Sequence, residues 1–180
     1  MKKVIIALVV VGGLAALSAF LYKQYAKPLS QEAHARFNQN GLRLEVTYCQ
    51  PAKKGRTIFG DSSTRALVPY GKVWRTGANE ATKLIVNHNV TLAGHPLKAG
   101  EYTLWTIPGP QDWQVVINQE TGQWGTEYDA SKDLFRAAVP SHQVPEVQEL
   151  FEISFTPQTG GTDLVLHWDH TEVAVPIRTQ

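Results

Sequence analysis

Beyond Asn40 apolar and polar residues alternate along the chain. Leu42, Leu44 and Val46 are separated by Arg43, Glu45 and Thr47, a period of two that gives a strand one apolar and one polar face. Strands are likewise predicted at Lys83–Val86, Glu101–Ile107, Trp113–Asn118, Leu134–Val139, Glu149–Phe155, Asp163–Trp168 and Glu172–Ile177, separated by Pro, Gly, Asn and Asp. Asp169-His170-Thr171 between the last two reads as the turn of an antiparallel hairpin. No segment in this region carries a helical apolar stripe over three turns, which the crossovers of a parallel sheet require. The pattern predicts an all-β domain over residues 41–180, an antiparallel β-sandwich of jelly-roll type.

The first 40 residues follow other rules. From Val4 to Tyr22 no charge interrupts the apolar run, and as a helix it covers about 28 Å, close to the hydrocarbon thickness of a bilayer. Two readings compete, a retained anchor over residues 1–23 and a cleaved signal peptide with Ala16-Leu17-Ser18 at the cleavage site. Retention is favoured because the run continues through Phe20, Leu21 and Tyr22, and because Tyr22 and Tyr25 with Lys23 and Lys27 form an interfacial flank. Lys2 and Lys3 favour a cytoplasmic N-terminus, which puts the domain outside the cytoplasm. Gly12 and Gly13 are candidates for close packing of another membrane helix, although small residues are common in such helices generally. Residues 24–40 read as a polar tether, because the helix from Gln31 to Ala35 that Ser30 would cap is too short to be stable alone.

Composition narrows the function classes. With Lys2, Lys3, Lys23 and Lys27 assigned to the flanks of the apolar run, the remainder is mildly acidic, opposite to what a nucleic-acid platform needs. The single cysteine, Cys49, excludes an internal disulfide or a multi-cysteine zinc site, and with no histidine near it in sequence it reads as a small half-buried residue. There is no GxSxG elbow, HExxH, Walker loop or dinucleotide fingerprint, so no cofactor is expected. In His167-Trp168-Asp169-His170 the histidines fall three apart on a strand and face opposite sides, a poor metal geometry. Asp61 and Glu80 are the carboxylates left for a hydrolase, the lowest-ranked reading.

The densest group of special residues runs from Leu67 to Thr82, LVPYGKVWRTGANEAT, where Pro69, Gly71 and Gly77 forbid one continuous element. Trp74, Arg75, Asn79 and Glu80 within it suit a ligand pocket, with Trp74 as a stacking face and Arg75 as an anion fork. The competing reading is a structural brace, with Arg75 paired to Glu80 and to loop carbonyls while Trp74 plugs the end of the domain. Trp168 shares parity with Leu164 and Leu166 and points inward, whereas Trp124 lies in a turn as a candidate surface ring. Lys53-Lys54-Gly55-Arg56 is a basic turn suited to anionic headgroups or a partner if it faces the membrane.

Over residues 36–177, GRTIFG, LVPYGKVWRTGANEAT, LKAGEYTLWTIPG, WQVVIN and QWGTEYD closely resemble an uncharacterised bacterial family, domain of unknown function 2911. The resemblance implies a bacterial protein carrying an export signal or membrane anchor, and it assigns no activity to any residue. The combined expectation is a single-span protein of the bacterial inner membrane with a periplasmic β-sandwich. Its partners are the bilayer and the other subunits of a membrane complex, which it serves as a non-enzymatic accessory. The alternative is a binding module for a carbohydrate or cell-envelope polymer.

Overall fold

The computed structural model describes residues 30–180 together with Gly12, Gly13, Leu17 and Ser18. Those four are helical and exposed, and a Cβ added to either glycine would meet nothing within 4 Å. The rest of the apolar run lies outside the described residues, and no described helix is long and apolar enough to cross a membrane.

From Ser30 onward the chain is all-β, broken by two short 3₁₀ turns. Strands β1 (Gln31–Gln39), β2 (Leu42–Gln50), β5 (Thr82–Val86), β8 (Gly100–Ile107), β9 (Asp112–Asn118), β10 (Asp133–Gln158), β11 (Gly161–Thr179), β6 (Val90–Leu92) and β7 (His95–Leu97) pair in that spatial order, each antiparallel to its neighbours. A separate parallel pair joins β3 (Phe59–Gly60) to β4 (Val68–Pro69).

Residues 31–39 correct the reading of 24–40 as a tether: they form a strand. Ala33, Ala35 and Phe37 alternate with His34, Arg36 and Asn38, and β1 pairs with β2 along its whole length. Alanine is a poor marker of a strand, so the period was faint. The stronger signal was Asn40-Gly41, whose φ values of 50° and 83° form the two-residue hairpin turn that this dipeptide favours.

The second correction concerns the last two hairpin arms, which form one strand. Inward positions in β11 are even-numbered as far as Trp168 and odd-numbered from Thr171, and the register with β10 shifts beside Asp169, whose φ is 55°. Asp169-His170-Thr171 is thus an irregularity within one strand where the parity of β11 changes, and the surplus residues lie on the β10 side, where Gln143 to Gln148 stands against Thr171 to Asp169. Likewise Leu134–Val139 and Glu149–Phe155 belong to one strand, β10. Its first part pairs with β9 through Pro140, and its later part pairs with β11 from Ser141 onward.

The long β10 lets the sheet curl until β2 meets it. The Tyr48 hydroxyl accepts from Ile153 N–H at 2.9 Å and donates to Ile153 O at 3.4 Å, while Phe151 N–H donates to Pro51 O at 3.0 Å. Between these walls lies the core, with Trp113, Phe151, Trp168, Leu84, Leu104 and Val175 all nearly inaccessible. A smaller cluster of Ala81, Trp105 and Val116 packs under Tyr128.

Phenylalanine at position 48 would leave buried main-chain groups of Ile153 without the hydroxyl. Tyr48→Phe is therefore expected to cost about 1–3 kcal/mol, seen as a lower urea midpoint at unchanged slope. The Tyr128 hydroxyl donates to Asp133 Oδ2 at 2.6 Å, and burial followed by that carboxylate pushes its pKa from 10.0 up to about 12. A folded value above the unfolded one means that the stabilisation is whole below pH 10 and is lost as pH climbs toward about 12. Urea unfolding across that window should show the decline, and Tyr128→Phe should flatten it.

Candidate functional site

The loop between β4 and β5 is held at its middle by main-chain pairing. Trp74 N–H donates to Thr106 O at 2.7 Å and Thr106 N–H donates back to Trp74 O at 3.0 Å. The indole turns into the core with 8% of the residue exposed, and its Nε1 donates to Gly77 O at 3.0 Å. It meets Phe59, Trp113 and Phe151 edge-on and stacks on Trp168 with centroids 5.8 Å apart and planes 18° from parallel. Aromatic pairs of this kind contribute about 0.5–1.5 kcal/mol each beyond their burial.

Past Trp74 the backbone is strained. Thr76 has φ 52° and Asn79 has φ 59°; for a β-branched residue such as Thr76 the left-handed region costs about 1–3 kcal/mol. Hydrogen bonds hold the shape: Thr76 Oγ1 lies 3.1 Å from Thr106 Oγ1, and Thr82 Oγ1 donates to Thr76 O at 2.7 Å. Asn79 Nδ2 donates to Ser30 O at 3.2 Å and ties the start of β1 to the loop.

Arg75 and Glu80 do not form an ion pair. Arg75 Nη1 donates a long 3.4 Å bond to Asn79 O, within its own loop, whereas the exposed Glu80 has Oε2 3.7 Å from the Cys49 thiol. The reason is the bridge between Glu80 and Trp124, which carries Glu80 toward the 123–125 segment. There Gly125 is required by space, because an added Cβ would collide with Arg75 Cδ and the Asn79 carbonyl. Cys49 is 6% exposed, more buried than expected; burial first, and Glu80 beside it, push its thiol pKa up.

Trp74, Arg75 and Asn79 line an open cleft of about 320 Å³ together with Lys54 and Arg56 of the basic turn and with Ser30. Trp168, stacked on Trp74, also touches the cleft. Arg56 is fixed by its donors, Nε to Lys53 O at 3.0 Å and Nη2 to Ala52 O at 2.5 Å. No carboxylate lines the cleft among the described residues, and none pairs there with Lys54, Arg56 or Arg75. Glu149 and Asp169 lie close by, but Glu149 Oε1 accepts from Lys54 N–H at 2.8 Å and Asp169 Oδ1 pairs with Lys53 Nζ at 2.5 Å. Three basic residues without a lining carboxylate give the cleft a composition suited to an anionic group.

Of the residues singled out from sequence, Trp74, Arg75 and Asn79 share the cleft. Glu80 lines a separate recess with Cys49 and Gln123, and Trp124, 47% exposed, lines neither. Sequence reasoning missed that Lys54, Arg56 and Trp168 face the Trp74 loop. The basic turn was a visible signal, but its distance from Arg75 along the chain concealed the meeting.

Residues 30–177 match a family model described as "Protein of unknown function (DUF2911)". No curated protein and no solved structure gives a match to the chain.

Two outcomes follow from the packing. Gly125→Ala should displace Arg75 and destabilise the protein by about 1–3 kcal/mol in denaturant unfolding. Cys49 should resist Ellman's reagent in the native protein at neutral pH and react fully once urea unfolds it; rapid native labelling would contradict the burial described.

Proposed function

We propose, for a chain that belongs to the DUF2911 family of proteins of unknown function, a role as a membrane-anchored binding module. In this reading the curled sheet is an antiparallel β-sandwich held on the periplasmic side of a bacterial inner membrane by residues 1–23. Its cleft takes a carboxylate or phosphate borne on a component of the cell envelope. The observation that carries the reading is that Lys54, Arg56 and Arg75 line one cleft with no lining carboxylate among the described residues. Strain at Thr76 supports it, because the cost of a left-handed β-branched residue is commonly kept where a loop must hold a functional shape.

A second reading, an accessory subunit of a larger membrane complex, draws support from exposed Leu67, Val147 and Leu150. Migration of the mildly solubilised protein only as a free 20.0 kDa species on native gels would count against it.

Glycerol 1-phosphate titrated into the full chain in detergent tests the first reading by calorimetry. Arg75→Gln should weaken binding about tenfold or more while the melting temperature stays nearly unchanged, because the side chain makes one long internal hydrogen bond. A large fall in melting temperature with binding intact would restore the brace as the role of Arg75.

A further inference from the structure

We infer that the cleft is the membrane-docking face of the domain, and that the anion it takes is the phosphodiester headgroup of acidic lipids in the bilayer that holds the chain's own N-terminal run. This rests on the anion-binding reading and names its ligand class.

The argument begins with where the chain enters the domain. Ser30 is buried, lines the cleft, and has its carbonyl held by Asn79 Nδ2. From there β1 runs away to the Asn40-Gly41 turn, and β2 returns the chain to Pro51 and Ala52 on the same cleft. The cleft thus occupies the end of the domain at which the N-terminal run joins it. Eight residue steps separate Tyr22 from Ser30, which even fully extended reach no more than about 29 Å. A domain leashed so closely presents that end to the headgroups more readily than any other.

The lining of the cleft differs from that of the recess at the other end. At the near end the cleft is lined by Lys54, Arg56 and Arg75. At the far end a recess is lined by Asn40, Asn87, Asn89 and Gln180 with His88, and by no acidic residue or lysine or arginine. An acidic lipid surface attracts each nearby basic side chain by about fivefold in affinity, and with the exposed Glu149 carboxylate beside Lys54 offsetting one of the three, the cleft supplies on the order of thirtyfold. Leu67 lines the cleft at 43% exposure, and Leu150, bridged to Ala52 of the cleft wall, is 46% exposed. Apolar side chains beside cations suit the boundary between headgroup and acyl chain. The carbonyls of Lys53 and Ala52 hold the Arg56 guanidinium in place, so less side-chain freedom is lost when a phosphate is met.

Hydrogen exchange on the full chain in lipid nanodiscs tests this. Amides of residues 51–57 and 75–79 should exchange several-fold more slowly in discs containing phosphatidylglycerol than in pure phosphatidylcholine. High salt should reverse the slowing, and Lys54→Gln with Arg56→Gln should remove it. Both side chains are exposed, so the double variant is expected to keep native exchange rates in β9, which verifies its fold. Equal exchange in the two discs overturns the docking inference. If inorganic phosphate added to phosphatidylcholine discs then protects the same amides, the anion-binding reading survives alone; if it does not, that reading falls as well.

Discussion

The geometry of the cleft depends on the seating of Trp74. Its backbone is paired in both directions with Thr106, and its indole is closed on Phe59, Trp113, Phe151 and Trp168. One residue therefore belongs to the core and to the loop at once. With Trp74 fixed, the next residue must leave the core, which brings Arg75 to the cleft, and the strained turn at Thr76 returns Asn79 to meet Ser30. The cost of the left-handed threonine is modest beside the burial of five aromatic rings, so the loop can keep that shape.

The opposite wall has a separate origin. The basic turn is positioned by β10, since Lys53 N–H donates to Glu149 O at 2.7 Å and Ala52 bridges to Leu150. The meeting of the two walls follows from the curl of the sheet, which brings β2 against β10 through Tyr48 and Ile153. Disturbing either anchor should change the spacing of the cations before it unfolds the protein.

Much of the β-structure was legible because alternation over four or more residues is a strong local signal, as in Leu42–Val46 and Trp113–Asn118. The extent of strands was less so. Local chemistry does not distinguish a turn from a bulge, and Asp169 with Pro140 therefore divided two continuous strands into four. The alanine-rich β1 was hidden behind weak propensity although its Asn-Gly turn was in plain view. At the site, the prominence of Trp74, Arg75 and Asn79 could be read locally, because Gly and Pro around them forbid regular structure. The pairing of Arg75 could not, since a sequence-adjacent carboxylate is the natural guess and the bridge of Glu80 to Trp124 is a long-range fact. The meeting of Lys54 and Arg56 with Arg75 is likewise a property of the curled sheet.

The bulge at Asp169 also bears on how this chain can vary in length. Every inward residue of β11 beyond it, from Thr171 to Ile177, owes its orientation to the change of parity at that point. Loss of one codon there would turn Val173, Val175 and Ile177 outward together unless a second length change nearby restored the phase. Lineages of this fold should therefore gain and lose residues in the connections, such as the one between β9 and β10, while β11 keeps a constant count between Gly161 and Thr179.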